Sequence, residues 1–292
     1  MEALRNWVFQ LQDEGVLPGI FEYGFLINAL VAALIIGPLL GGMGSLVVIK
    51  RLAFFSEAVG HAALTGIAIG ILLGEPAAHP YASLFSFCLI FALLLHWIKS
   101  RTSVPYDALV GVFLAVAIAM GAALLLWVAR KVNIHILENV LFGSILTVQD
   151  RDLFILAVIG AICLLLAIMF GNQALLASLN PELARVNGIN PRLFDYVFVV
   201  LIALITVAAV KIAGAILVGA MLLIPATTAR LITNNIRQFF WTNIVLSTVC
   251  CIVGIILPMA LDLPVPSGAS IVLLASLAFV VAVVCNRIRS FV

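Results

Sequence analysis

The chain has 292 residues, 65% of them hydrophobic and only 10% charged, with a mean hydropathy of +1.28. Soluble domains carry about 25% charged residues, so this composition excludes a water-soluble globular protein and marks an all-α, polytopic membrane protein. The formal net charge of +2 sits mostly at the ends of apolar runs, with no basic patch interleaved with aromatics, which argues against nucleic acid as a partner.

The first 24 residues, beginning MEALRNWVFQLQDEGVLPG, contain no apolar core of the kind a cleavable signal needs. They read as an extracytoplasmic or interfacial leader. Residues 25–290 then form a single transmembrane domain in contact with lipid. About 20 apolar residues cross a bilayer. With Gly, Pro and charge as punctuation, spans are expected near 25–49, 57–73, 82–98, 108–129, 153–170, 194–210, 212–229, 238–261 and 268–286. The two around Lys211 could also be one bent unit. Lys and Arg favour the cytoplasmic side. That places Lys50/Arg51, Lys99/Arg101, Arg185/Arg192, Arg230/Arg237 and Arg287/Arg289 inside, with Glu75/His79 and Asp262 outside. The N-terminus is then outside and the C-terminus inside, and the 130–152 segment, with Arg130, Lys131 and Arg151, is the one exception.

The second span is short, rich in small residues and suited to an interior position. It holds Glu57 and His61, which a helix stacks on one face. His61 lies ten residues beyond Arg51, about 15 Å along a helix, so it should fall near the midplane with Glu57 a turn below. Ionisable side chains at that depth face a cavity, a partner or an ion. One reading is a Glu–His hydrogen bond that pins two helices. The other is a transient site for Zn²⁺, Mn²⁺ or Fe²⁺, which accept a carboxylate and an imidazole. Two ligands leave the shell incomplete, so water or a second copy of the helix must supply the rest. The order Glu-Ala-Val-Gly-His is not the HExxH of a metalloprotease, and no other catalytic set stands out.

The stretch LASLNPELARVNGINPRLFDYV, 176–197, predicts a helix of about two turns. Asn180 is a suitable N-cap, Pro181 fits the first helical position, Glu182 complements the dipole, Gly188 can close the C-terminus and Pro191 blocks continuation. Leu183, Ala184, Arg185 and Val186 complete it. It is either an ordinary surface helix or one that docks into another protein. The chain has no G-x-x-x-x-G-K-[ST], so ATP-driven work would need a separate subunit at such a helix.

Other polar residues are weaker signals. Lys211 reads as a helix-end cap at the outer surface, with neutralisation of a carboxylate in the pore as the alternative. GEPAAHP, 74–80, and His135 with Glu138 read as loop residues. His96 reads as an interface anchor and Asp107 as a cap. Cys88, Cys163, Cys250, Cys251 and Cys285 form no CxxC and read as small core residues.

Five segments in order carry a family resemblance. FFSEAVGHAALTGIAIG resembles the GD-x-x-x-HA-x-L-x-G signature of zinc/manganese-type permeases of ABC importers. VLFGSILTVQDRDLF, NPELARVNGINP, GAILVGAMLLIPATTAR and DLPVPSGASIVL are similar to that family's LFG-x-x-L, DPE-x-A-x-x-x-G, GALL-x-x-ALLIIPAATA and D-x-P-x-GP-x-IVL segments. Here Glu57 stands for the usual Asp, Ser56 for the preceding Gly and Ala269 for a Pro. The resemblance implies a permease of the prokaryotic cytoplasmic (inner) membrane, itself not an enzyme and without a permanently bound cofactor. It would act as a homodimer or with a related permease, with a cytoplasmic ABC ATPase and an extracytoplasmic metal-binding protein. Glu57 and His61 would contact the transported ion, zinc first with manganese or iron as alternatives. Residues Pro181, Glu182, Leu183, Ala184, Arg185, Val186 and Gly188 would form the ATPase-coupling helix. The rival reading is a proton- or sodium-coupled secondary transporter with Glu57 as proton carrier.

Overall fold

The computed structural model describes residues 2–13, 23–76, 80–128, 145–261 and 265–289, and they form α-helices without a β-strand among them. A first helix, α1 (Glu2–Asp13), lies within the leader. It is followed by α2 (Gly24–Ile49), α3 (Phe55–Leu72), α4 (Tyr81–Arg101) and α5 (Tyr106–Val128). A 3-10 turn at Ile145–Thr147 precedes α6 (Asp150–Leu179), the short α7 (Pro181–Val186), α8 (Pro191–Ala213), α9 (Ala215–Ile232), α10 (Ile236–Ala260) and α11 (Ser267–Arg289). Among the described residues nine of these, α2–α6 and α8–α11, are long and apolar enough to cross a membrane. His79, His135, Glu138, Asp262 and the start of the VLFGSILTVQDRDLF segment lie outside the described residues.

Several helices begin before the expected spans, and at α6 and α8 a capping residue, not the first apolar residue, sets the start. Asn190 accepts the Arg192 N–H at 3.1 Å with Pro191 in the first turn, so α8 starts at Pro191. Pro191 therefore opens the next helix as well as ending the approach to it. Gln149 and Asp152 form a reciprocal capping box that starts α6 at Asp150. From there α6 runs 30 residues, about 45 Å, against a hydrocarbon core of about 30 Å. Its last turns, beyond the exposed Asn172 and Gln173, project past the apolar zone. Between α8 and α9 the separator is Gly214, not Lys211. Gly214 has φ +85°, a backbone state that suits glycine, and the chain turns there into a new helix. The bent single unit is thus two helices.

α2 forms the centre, packed on α6, α9 and α10, while α3 is enclosed by α4, α5, α8 and α9. Small residues permit the closest approaches. A Cβ on Gly44 would strike the carbonyl of Leu222, and one on Gly254 would come within 2.7 Å of the Ile271 Cα. The Asn243 amide, fully buried, donates to the Gly41 carbonyl and, at 2.9 Å, to the Ser45 hydroxyl, pinning α10 to α2. Cys88, Cys163, Cys250 and Cys251 are buried as free thiols. Cys285 departs from the core expectation and is exposed on α11.

Candidate functional site

α3 begins at Phe55, so Glu57 falls in its first turn. From Phe55 to Ala68 every residue is buried except Glu57 and His61. The reason is packing: alanines and glycines let α4, α5, α8 and α9 close over the rest of the helix, leaving the Glu57/His61 face open. Neither side chain makes a hydrogen bond or ion pair with another described residue. Among the described residues no three His, Cys, Asp or Glu side chains gather as a potential metal cage.

The flank of this face is α9. A Cβ on Gly219 would lie 3.9 Å from the Glu57 Cβ, and one on Gly60 would lie 3.5 Å from both Ala215 and Val210. Ile216, Gly219, Ala220 and Leu223 continue the uncovered surface along α9 at helical spacing. The same contacts give depth. Leu222 lies against Gly44, five residues before the end of α2, and Gly219 comes three residues before Leu222. At 1.5 Å per residue Glu57 is therefore about 12 Å, and His61 about 18 Å, from the Lys50 end of α2. That helix spans 26 residues, about 39 Å, so His61 lies close to halfway.

The second site is α7. The Asn180 side chain accepts the Leu183 N–H at 3.0 Å and Pro181 occupies the first turn. Gly188, at φ +75°, closes the helix, with Ile189 N–H donating to the Ala184 carbonyl at 2.9 Å. Ala184 is fully buried and anchors the helix. Glu182, Leu183, Arg185 and Val186 are exposed, Val186 at 85%. A short helix at the arginine-rich end of the bundle thus shows an apolar pair flanked by one acid and one base.

Three ion pairs among the described residues join positions far apart in the chain. Lys211 lies in the last turn of α8, as a helix-end residue, but it is largely buried. Its ammonium pairs with Asp152 at 2.8 Å and lies 3.6 Å from the Tyr81 ring centroid, and the Tyr81 hydroxyl donates to Asp152. Lys211 thus keeps the helix-end position of the first reading and neutralises a carboxylate there, where α4, α6 and α8 meet, and not one placed in a pore. Arg5 of α1 pairs with Asp150 and donates to Asn28, whose amide reaches the Val148 carbonyl at 3.3 Å. At the opposite end Lys50 pairs with Asp195 at 2.5 Å, and His96 meets the Tyr196 ring edge-on at 4.5 Å. His96 is therefore an interhelical contact as well as a boundary residue. Glu75 accepts the Ser83 N–H at 3.0 Å near the start of α4. Asp107 lies in the first turn of α5.

The model of the ABC 3 transport family matches residues 22–286. The manganese import system permease protein ScaB of Streptococcus gordonii is 29% identical over 266 residues, covering 91% of this chain and 93% of that protein. The high-affinity zinc uptake system membrane protein ZnuB of Haemophilus influenzae is 30% identical over 261 residues, covering 89% and 97%. Among solved structures, PsaBC from Streptococcus pneumoniae in complex with Fab superposes with a TM-score of 0.78 at 29% identity, covering 97% of this chain and 95% of that one.

Proposed function

This chain belongs to the ABC 3 transport family, and on that premise we propose that it moves a divalent transition metal ion, Zn²⁺ or Mn²⁺, past Glu57 and His61. It is a permease subunit and not an enzyme, a multi-pass protein of the bacterial inner membrane, and ATP hydrolysis belongs to a separate subunit. The observation that carries the metal reading is the burial pattern of α3. Two ionisable groups near mid-depth are the only positions from Phe55 to Ala68 not fully buried, and neither makes a hydrogen bond or ion pair with another described residue.

A carboxylate oxygen and a neutral imidazole nitrogen together favour Zn²⁺ or Mn²⁺ over Mg²⁺ and Ca²⁺, which take all-oxygen shells. Two ligands hold an ion loosely enough to release it. Water, or the same face of a second copy, completes the shell. The uncovered stripe of α9 beside Gly219 supports that second copy, because it is apolar and continuous with the pair. An extracytoplasmic metal-binding protein delivers the ion at the outer end. The cytoplasmic ATPase docks on α7, where Leu183 and Val186 offer apolar contact and Glu182 and Arg185 fix orientation. The relatives' names divide among manganese, zinc and iron, and this pair of ligands accepts each of these ions. Family membership lends nothing to a proton- or sodium-coupled carrier.

The test is uptake of radiolabelled zinc and manganese into vesicles holding the complete complex. Glu57→Ala and His61→Ala should each stop uptake while the ATPase subunit still co-purifies. Normal uptake by both variants overturns the reading. Competition between the two ions in the unaltered complex identifies the cargo.

A further inference from the structure

The two proposed sites, α7 and the Glu57/His61 face, lie on different helices, and an ion pair between the chain segments adjoining them links the two. Asp195 is the fifth residue of α8, which opens at Pro191 just after the Gly188 closure of α7. Asn190 caps α8, and Ala184 is buried beneath α7, so the two helices are joined by a short, hydrogen-bonded turn. Lys50 is the C-cap residue of α2. Its ammonium pairs with Asp195 and lies 5.4 Å from the Phe198 ring, so one turn of α8 grips it on two sides. The Lys50 side chain is only 12% exposed.

From Lys50 the chain reaches Glu57 in seven residues through a stiff turn. Arg51 has φ +56°, the only positive φ at a non-glycine among the described residues. Leu52 N–H donates to the Val47 carbonyl at 2.9 Å and Phe55 N–H to the Leu52 carbonyl at 3.1 Å. Phe55 is fully buried. A displacement of Lys50 is therefore passed to the first turn of α3 with little slack. The other contacts of α3 with α8 and α9 at this level, such as Gly60 against Val210 and Ala215, are apolar, and apolar surfaces can slide where an ion pair resists.

We propose that Lys50 and Asp195 are positioning residues for transport: their ion pair carries movement of α7 and α8 through the 50–54 turn to Glu57 and His61. This rests on the metal and docking roles given above for those two sites.

The experiment uses the full complex in vesicles, with permease, ATPase subunit and metal-binding protein. It reads ATP hydrolysis, ions taken up per ATP, and Zn²⁺ or Mn²⁺ retained at equilibrium without ATP. Lys50→Met and Asp195→Asn should each lower ions per ATP about tenfold, the scale on which groups act through a ligand they orient. Hydrolysis and retained metal should hold. Lys50→Arg should keep the coupling, and the exchange Lys50→Asp with Asp195→Lys should restore most of it. Unchanged coupling in both single variants overturns the proposal, as does a loss that neither Lys50→Arg nor the exchange corrects. A failure of the underlying metal reading looks different: Glu57→Ala would then retain and transport metal normally.

Discussion

α3 and α6 are both apolar helices of one bundle, yet they solve opposite problems. α6 is the more apolar, and only 28% of its most apolar stretch is buried, with Phe154, Leu164 and Ile168 facing outward. α3 is less apolar, and 72% of its span is buried. In water the greasier helix would go inside. In a bilayer the lipid is as apolar as any leucine, so hydrophobicity no longer sorts the helices. Small residues that allow close contact, and polar groups that lipid cannot solvate, decide which helix is central. The polar groups Asp150, Asp152, Asn172 and Gln173 of α6 bracket its apolar stretch, while those of α3 lie within the span.

That contrast can be tested by making each helix resemble the other. The largest effect is expected when α3 is made apolar throughout: Glu57→Leu should reduce metal uptake by more than about tenfold, since even groups that merely orient a metal ligand cost that much. Next is the ion pair that secures the rim of α6. Lys211→Met strands a largely buried Asp152 carboxylate, and thermal unfolding of the detergent-solubilised complex should report a loss of about 3 kcal/mol. The double variant Lys211→Met with Asp152→Leu should recover much of it, and no recovery would show that the pair does not act as a unit. A smaller effect is expected from bulk on α3. A Cβ on Gly66 would approach the Leu84 Cα to 3.1 Å, so Gly66→Val should destabilise the same transition by about 2 kcal/mol through overpacking. The smallest belongs to the outward face of α6, where Ile168→Ala should stay within about 0.5 kcal/mol. An effect there as large as that of Gly66→Val would show that this face meets protein instead of lipid.

Much of the bundle could be read from the sequence because a membrane-crossing helix needs a long apolar run and little else. α7 was equally legible, since Asn180, Pro181 and Gly188 act through neighbouring backbone and their effects are local. The far end of α6 was not. Asn172 and Gln173 mark where the hydrocarbon stops, and sequence alone does not separate leaving the membrane from ending the helix. Glu57 and His61 were visible through their spacing, but their exposure depended on how α9 packs at Gly219. The Asp152–Lys211–Tyr81 cluster and the Lys50–Asp195 pair join residues 59 to 145 positions apart. Its one cue, a lysine in an apolar stretch, announced that a partner was needed without saying which.

The unbroken run of α6 to Leu179 has a consequence for how an assembly is built on this chain. Helix without interruption is stiff, so the stretch from Asn172 onward works as a stilt that lifts α7 about 12 Å above the membrane surface. A protein seated on that platform stands clear of the headgroups, and its recruitment should be alike on vesicles of neutral and of anionic lipid.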